Sequence, residues 1–168
     1  TSIGIYILSA ESEKLIYPVP DPEESEWTSD IDMENATLSN DNKYIVVGEQ
    51  SFDHHILNSN GEILGTIGPQ SSYPHFCLFS KDDSQLITNS CHFYNGITIG
   101  IDATNLEEIN IEAYESNDKI TYINEEMRVY AGVSVDGFYV LGDAYGYIKA
   151  IDKNGKQLFP AQYENCLN

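Results

Sequence analysis

The sequence predicts an all-β fold, an array of four-stranded antiparallel units, and three observations carry that prediction. A phrase of Ser, an Asp/Asn-rich turn and a hydrophobic strand occurs three times: SNDNKYIVVG from Ser39, SKDDSQLITN from Ser80 and SVDGFYVLGD from Ser134. A second phrase answers each one, as LNSNGEIL from Leu57, IDATNLEEI from Ile101 and IDKNGKQL from Ile151. No stretch keeps apolar residues at three-and-four spacing for long, whereas short β-rich runs bounded by turns recur throughout. A period of about 40 to 50 residues made of hairpins marks a repeat architecture.

The elements follow in order. Strands are expected at Gly4–Leu8, Leu15–Val19, Ala36–Ser39, Tyr44–Gly48, His54–Leu57 and Ile63–Ile67. Next come Phe76–Ser80, Gln85–Asn89, Ile97–Ile101, Glu108–Ile111 and Lys119–Ile123. Val129–Ser134, Phe138–Gly142, Tyr147–Ile151 and Gln157–Phe159 complete the set. Asn60-Gly61, Asp136-Gly137 and Asn154-Gly155 are tight-turn signals, because these residues accept positive φ with least strain. Pro18 to Asn35 breaks the rhythm: three prolines, seven acids and no base make it a loop or extended crossover.

Set in register, each unit reads as an inner strand ending in the Ser, a turn, and a second strand. A third strand then carries ILN, IGID or KAID, and a turn leads to the fourth. This pattern resembles the blade of a WD-repeat β-propeller over Asp32 to Pro160. The Gly-His dipeptide of that family is absent, and Leu57-Asn58, Ile101-Asp102 and Ile151-Asp152 stand where Trp-Asp is usual. The resemblance is therefore to degenerate, WD-like blades. It implies a partial first blade plus acidic loop at 1-31, then blades at 32-68, 74-112 and 119-160, about 3.5 in all. Such an array is an open arc or a piece of a larger propeller, and open edges call for a dimer mate or missing blades to cover them. A β-sandwich, which shares the short strands and turn rhythm, is the alternative fold.

Composition bounds the function. The 168 residues carry 27 Asp and Glu against eight Lys and Arg, a net charge of −19, with 41% hydrophobic residues, enough for a packed core. Such a surface repels phosphate backbones and anionic headgroups, which argues against nucleic-acid and membrane partners and in favour of a basic protein. Cys77, Cys91 and Cys166 form no CxxC pair, so reduced thiols and a cytoplasmic setting are expected. The chain opens on Thr with no apolar leader, and the expectation is that residues are missing upstream.

Few residues point to chemistry. His54 and His55 alternate across a strand and cannot serve one metal, and His75 and His92 lie elsewhere. Asp30-x-Asp32-x-Glu34 imitates half a calcium loop, but Asn35 stands where Gly is needed. There is no GxSxG elbow, phosphate-cradling Gly-rich loop or HExxH, so no catalytic residue, metal or cofactor is assigned. Ser-Asp turns recurring once per unit read as architecture. What does not repeat is the acidic segment around the only Trp: Glu23, Glu24, Glu26, Trp27, Asp30 and Asp32. Trp anchors interfaces, and an acidic rim orients a basic partner. Tyr73, Tyr94 and Tyr145, in turns or loops, are further candidate contacts. A second acidic stretch, Glu107, Glu108, Glu112, Glu115 and Asp118, reads as a solvated outer rim.

The expected function is a non-enzymatic protein-binding module, in its concrete form an acidic inhibitor or immunity-type protein neutralising a basic toxin such as a nuclease. The alternatives are a fragment of a larger propeller scaffold for complex assembly, and a propeller enzyme or sugar-binding lectin.

Overall fold

A computed structural model describes residues 4–8, 13–18, 33–49, 54–68, 76–91, 96–107, 109–111, 117–124, 129–143, 146–159 and 162–163. Strands β1 (Gly4–Leu8) and β2 (Glu13–Pro18) pair as a two-stranded sheet. The first complete blade comprises β3 (Met33–Leu38), β4 (Tyr44–Glu49), β5 (His54–Asn58) and β6 (Ile63–Ile67). The second begins with β7 (Phe76–Phe79), β8 (Gln85–Cys91) and β9 (Gly96–Asp102). After β10 (Asn110–Ile111), it is completed by β11 (Ile120–Asn124). The third holds β12 (Val129–Val135), β13 (Phe138–Asp143), β14 (Tyr147–Asp152) and β15 (Gln162–Tyr163). Within each blade the strands pair antiparallel in a meander, and β7 packs against both β3 and β12. Four successive sheets, rather than two facing layers, set the sandwich aside.

Alternation along the strands dictates where the core sits. Val46 and Ile56, cross-strand partners on the trailing face of the first blade, meet Cys77, Phe79, Leu86, Ile99 and Ile101 of the second. The opposite face of the second blade offers Phe76 and Ile87 to Val129, Tyr139, Leu141 and Ile151 of the third. The core is thus a series of joints between sheets, and burial of aliphatic surface at each joint supplies the main cohesion.

Three strands depart from the spacing-based expectation. Residues 108–111 were expected to add a fourth strand to the second blade, but β10 runs parallel to β6 on the outer edge of the first. Ile109 and Ile111 accept amide hydrogen bonds from Thr66 and Gly68 at 2.9 and 2.8 Å, and both side chains are buried in the first joint. Gly65 permits this approach, since a Cβ there would overlap the Ile109 carbonyl oxygen. The expected strand 119–123, assigned by spacing to the unit 119-160, closes the second blade as β11 instead. The place of Gln157–Phe159 is taken by β15, for Gln157 makes only an isolated bridge to Ile151.

The third Ser phrase is also out of register. Tyr44 pairs with Asn58 and Gln85 with Asp102, yet Phe138, not Tyr139, pairs with Asp152. The cause is turn length. Ser39 and Ser80 close four-residue turns onto Tyr44 and Gln85, whereas β12 continues to Val135 and turns over Asp136-Gly137 alone. Gly137 takes the positive φ, 80°, that this tighter turn requires.

Candidate functional site

The hairpin turns of the three blades gather at one end of the joints and hold one another there. In the first blade the Ser39 hydroxyl donates to Asp41 Oδ1 at 2.8 Å and accepts from the amides of Lys43 and Tyr44. Ser80 repeats the device, donating to Asp82 Oδ1 at 2.7 Å and accepting from the Gln85 amide at 3.0 Å. These contacts satisfy polar groups that the turn would otherwise bury unpaired. Ser134 is displaced from that role, and its Oγ is buried without a hydrogen-bond partner. Asn58, Asp102 and Asp152, at the ends of the third strands, cap the next turns by accepting backbone amides two residues on.

The turns are then stapled across the joints. Asp83 Oδ1 accepts from the Asn40 amide and side chain at 2.9 and 2.7 Å, and its Oδ2 accepts from the Asp41 amide at 2.8 Å. At the second joint Lys153 Nζ grips both oxygens of Asp82 at 2.8 and 2.6 Å, and Lys81 Nζ reaches Asp136 at 3.3 Å. Just beneath, buried Gln85 donates to Thr121 Oγ1 and the Lys153 carbonyl at 2.6 and 2.7 Å and accepts from Tyr139 Oη at 2.7 Å. No single-residue signal announces this hub; the offset of the third blade is what brings Tyr139 to it.

Electrostatics at this end are one-sided. Lys43, Lys81 and Lys153 each sit on a carboxylate, so the face presents acids whose local cations are already engaged. The Lys43 and Ser39 hydrogen bonds hold Asp41 down at about 2. Lys153, then Ser80 and Ser84, hold Asp82 far below the usual carboxylate range. Thr104 lowers Asp102. These groups stay ionised through the physiological range and have no proton to give near neutrality. Burial pushes the phenols of Tyr139 and Tyr122 and the thiol of Cys77 up, so none is a ready nucleophile or base. Cys77 Sγ instead donates to Asn35 Oδ1 across the first joint at 2.9 Å.

On the outer rim a polar cleft of about 200 Å³ is lined by Asn105, Glu107, Asn117, Asp118, Lys119 and the β10 residues. It holds Glu107 and Asp118 of the second acidic stretch. Among the described residues no group of three His, Cys, Asp or Glu could hold a metal ion. His54 is buried with no partner on either ring nitrogen, while His55 Nδ1 lies 3.1 Å from Thr66 Oγ1. The sequence-nominated contacts Glu23, Glu24, Glu26, Trp27, Asp30, Asp32, Tyr73, Tyr94 and Tyr145 all lie outside the described residues.

No protein-family model matches the chain, and no curated protein matches its sequence. Solved structures do. The chain superposes on BamB from Moraxella catarrhalis with a TM-score of 0.58 at 15% identity, over 79% of this chain and 37% of that one. It matches the computationally designed Ika8 protein with a TM-score of 0.55 at 15% identity, over 79% and 36% of the two chains. With the β-propeller domain of Cps50 (Swd1) from Myceliophteria thermophila the TM-score is 0.63 at 10% identity, over 91% of this chain and 49% of that domain. The chain therefore spans less than half the length of each of these structures. Sheet order, joint packing and these likenesses agree: the chain has the fold of a partial β-propeller, an arc of antiparallel blades.

Proposed function

We propose that this arc is a non-catalytic, protein-binding part of a larger propeller scaffold, and that its turn face selects a basic partner. The observation that carries the reading is the face of carboxylates at Asp41, Asp82, Asp83 and Asp136, set on a chain of net charge −19. Hydrogen bonds and salt bridges fix Asp41, Asp82 and Asp83 in the resting fold, so a cationic surface meets a largely preorganised anionic one at little ordering cost. Scaffolds that assemble complexes need that property more than they need reactive groups. Neutralisation of a cationic toxin, such as a nuclease, is the narrow form of the same binding. A reducing, cytoplasmic setting suits the buried Cys77 thiol.

Immobilised chain, exposed to native extract at low salt, is expected to retain basic proteins and release them as salt rises to roughly 0.3 M. The double variant Asp41→Asn with Asp136→Asn should retain less of the same proteins. Retention indifferent to salt and to these substitutions would sink the reading.

A further inference from the structure

One polar side chain is sealed into the first joint without a partner. His54 is fully buried, and neither ring nitrogen has a hydrogen-bond partner. Strand alternation puts it on the face of Ile56, two residues on, so the imidazole lies between the first and second blades. Its cross-strand neighbours are Gly48 on β4 and Ile67 on β6, which offer it no polar side chain. Strand β3 contributes Asn35 to this face, and the second blade contributes Cys77, Phe79 and Thr88. Of the described titratable groups on the face, Cys77 is held neutral by burial, and Tyr44 stands toward the turns. No described carboxylate or ammonium is beside His54: Asp41 and Asp83 lie beyond Tyr44, at least four residues of strand or roughly 13 Å away. The adjacent His55 turns to the opposite face, and its charge opposes a second one next to it.

An imidazolium in this seam has neither counter-ion nor acceptor, whereas in an opened joint water solvates it. We propose that mild acid opens the joint between the first and second blades, with His54 as the trigger, while the second joint stays closed. The opened form takes up the proton near 6.5 and the closed form only near 3, so between those values acid favours opening. From about pH 7.5 to about pH 4.5 the opened population rises about a hundredfold. The second joint has no such group among the described residues. Its Lys153–Asp82 staple keeps both charges, because Asp82 is held far below the usual carboxylate range, and its hub of Gln85, Thr121 and Tyr139 is neutral throughout. Opening the first joint withdraws Asp83 from the Asn40 and Asp41 amides and so dismantles part of the turn face. That last consequence, acid release of a bound partner, rests on the reading of the turn face as a docking surface.

Two reporters sit on the first joint: the buried Cys77 thiol and the Asn40 and Asp41 amides bonded to Asp83. Cys77 is labelled with a dipyridyl disulfide, located by peptide mapping, and its rate is expressed relative to the same thiol in urea-unfolded chain. Amide exchange is followed on the same samples, corrected for its intrinsic pH dependence. Between about pH 7.5 and about pH 4.5 the relative Cys77 rate and the Asn40 and Asp41 exchange should rise about a hundredfold. Amides of β13 in the third blade should hold their protection. His54→Leu should abolish the acid response, and His55→Leu should keep it. If His54→Leu does not fold, the wild-type contrast between Cys77 and β13 still decides. A relative Cys77 rate that stays flat overturns the proposal, as does a rise shared equally by β13, which marks global unfolding, or a full response in His54→Leu. Retention of basic proteins is measured alongside. Its absence at pH 7.5 sinks the docking reading alone, because the thiol still reports the joint; its persistence at pH 4.5 with Cys77 exposed overturns acid control of the face.

Discussion

His54 sits on β5 with both ring nitrogens buried and no hydrogen-bond partner, and burial, with a smaller contribution from His55, lowers its pKa from 6.5 to about 3. In the unfolded chain the imidazole takes its proton near 6.5, so between that value and about 3 the unfolded state binds a proton that the native state does not. Stability from this residue is complete above pH 6.5 and falls as the pH drops, by about 1.4 kcal/mol per unit. Asp41 and Asp82, with depressed pKa values, lose stability in the same direction but only below the ordinary carboxylate range. In urea titrations from about pH 7.5 to pH 4.5, His54→Leu should flatten the slope and gain roughly 1 kcal/mol at neutrality by removing unpaired polar atoms. An unchanged slope would contradict the account. The serines give a second contrast. Ser80→Ala should cost about 1–2 kcal/mol, because the Gln85 amide and Asp82 lose a partner, whereas Ser134→Ala should be neutral or slightly stabilising. Thermal melts of the two variants separate the cases. The difference lies in the turn: Ser39 and Ser80 stand five residues before the next strand's first residue and Ser134 four, because Asp136-Gly137 makes the tighter turn.

At the scale of elements, the blades are held by two kinds of connection with different strengths. The Asp83 carboxylate accepts three hydrogen bonds from the neighbouring turn, two of them from backbone amides. Asp83→Ala should therefore loosen the first joint by about 1–2 kcal/mol. The Lys81–Asp136 pair is exposed on both sides and 3.3 Å long, so Asp136→Ala should shift stability by less than about 0.5 kcal/mol. Amide exchange at Asn40 and Asp41 reports the difference. Strand β10 is the other connection. Gly65→Ala forces the Ile109 backbone away from β6, and a loss of roughly 2 kcal/mol or more is expected, with faster exchange at Thr66 and Gly68. Strand positions were legible, because Asn60-Gly61, Asp136-Gly137 and Asn154-Gly155 punctuate alternating runs. Strand partners were less so: the apolar residues Ile109 and Ile111 announce a strand but do not say which edge receives it.

On the scale of the whole molecule, charge and shape argue for two separate surfaces. The turn face is anionic and prearranged; the trailing face of the third blade, with Val133 and Ile148 exposed, is aliphatic and bare. Both follow from repetition, which makes every blade present a surface suited to the next, and from a composition with 27 acids that the core cannot house. The propeller-like arc could be read from the spacing of turns, while the stapled face could not, because it depends on contacts between residues some forty to seventy positions apart. Strand β10 adds an order of events. Synthesis proceeds from the amino end at roughly 5–20 residues per second, and about forty residues separate β6 from the strand that seals its edge. For those few seconds the first blade leaves the ribosome with an open flank, and its completion waits on a segment of its successor. The first blade can hold its full shape only after most of the second has been made, so the two are expected to mature as one cooperative unit in time as well as in space.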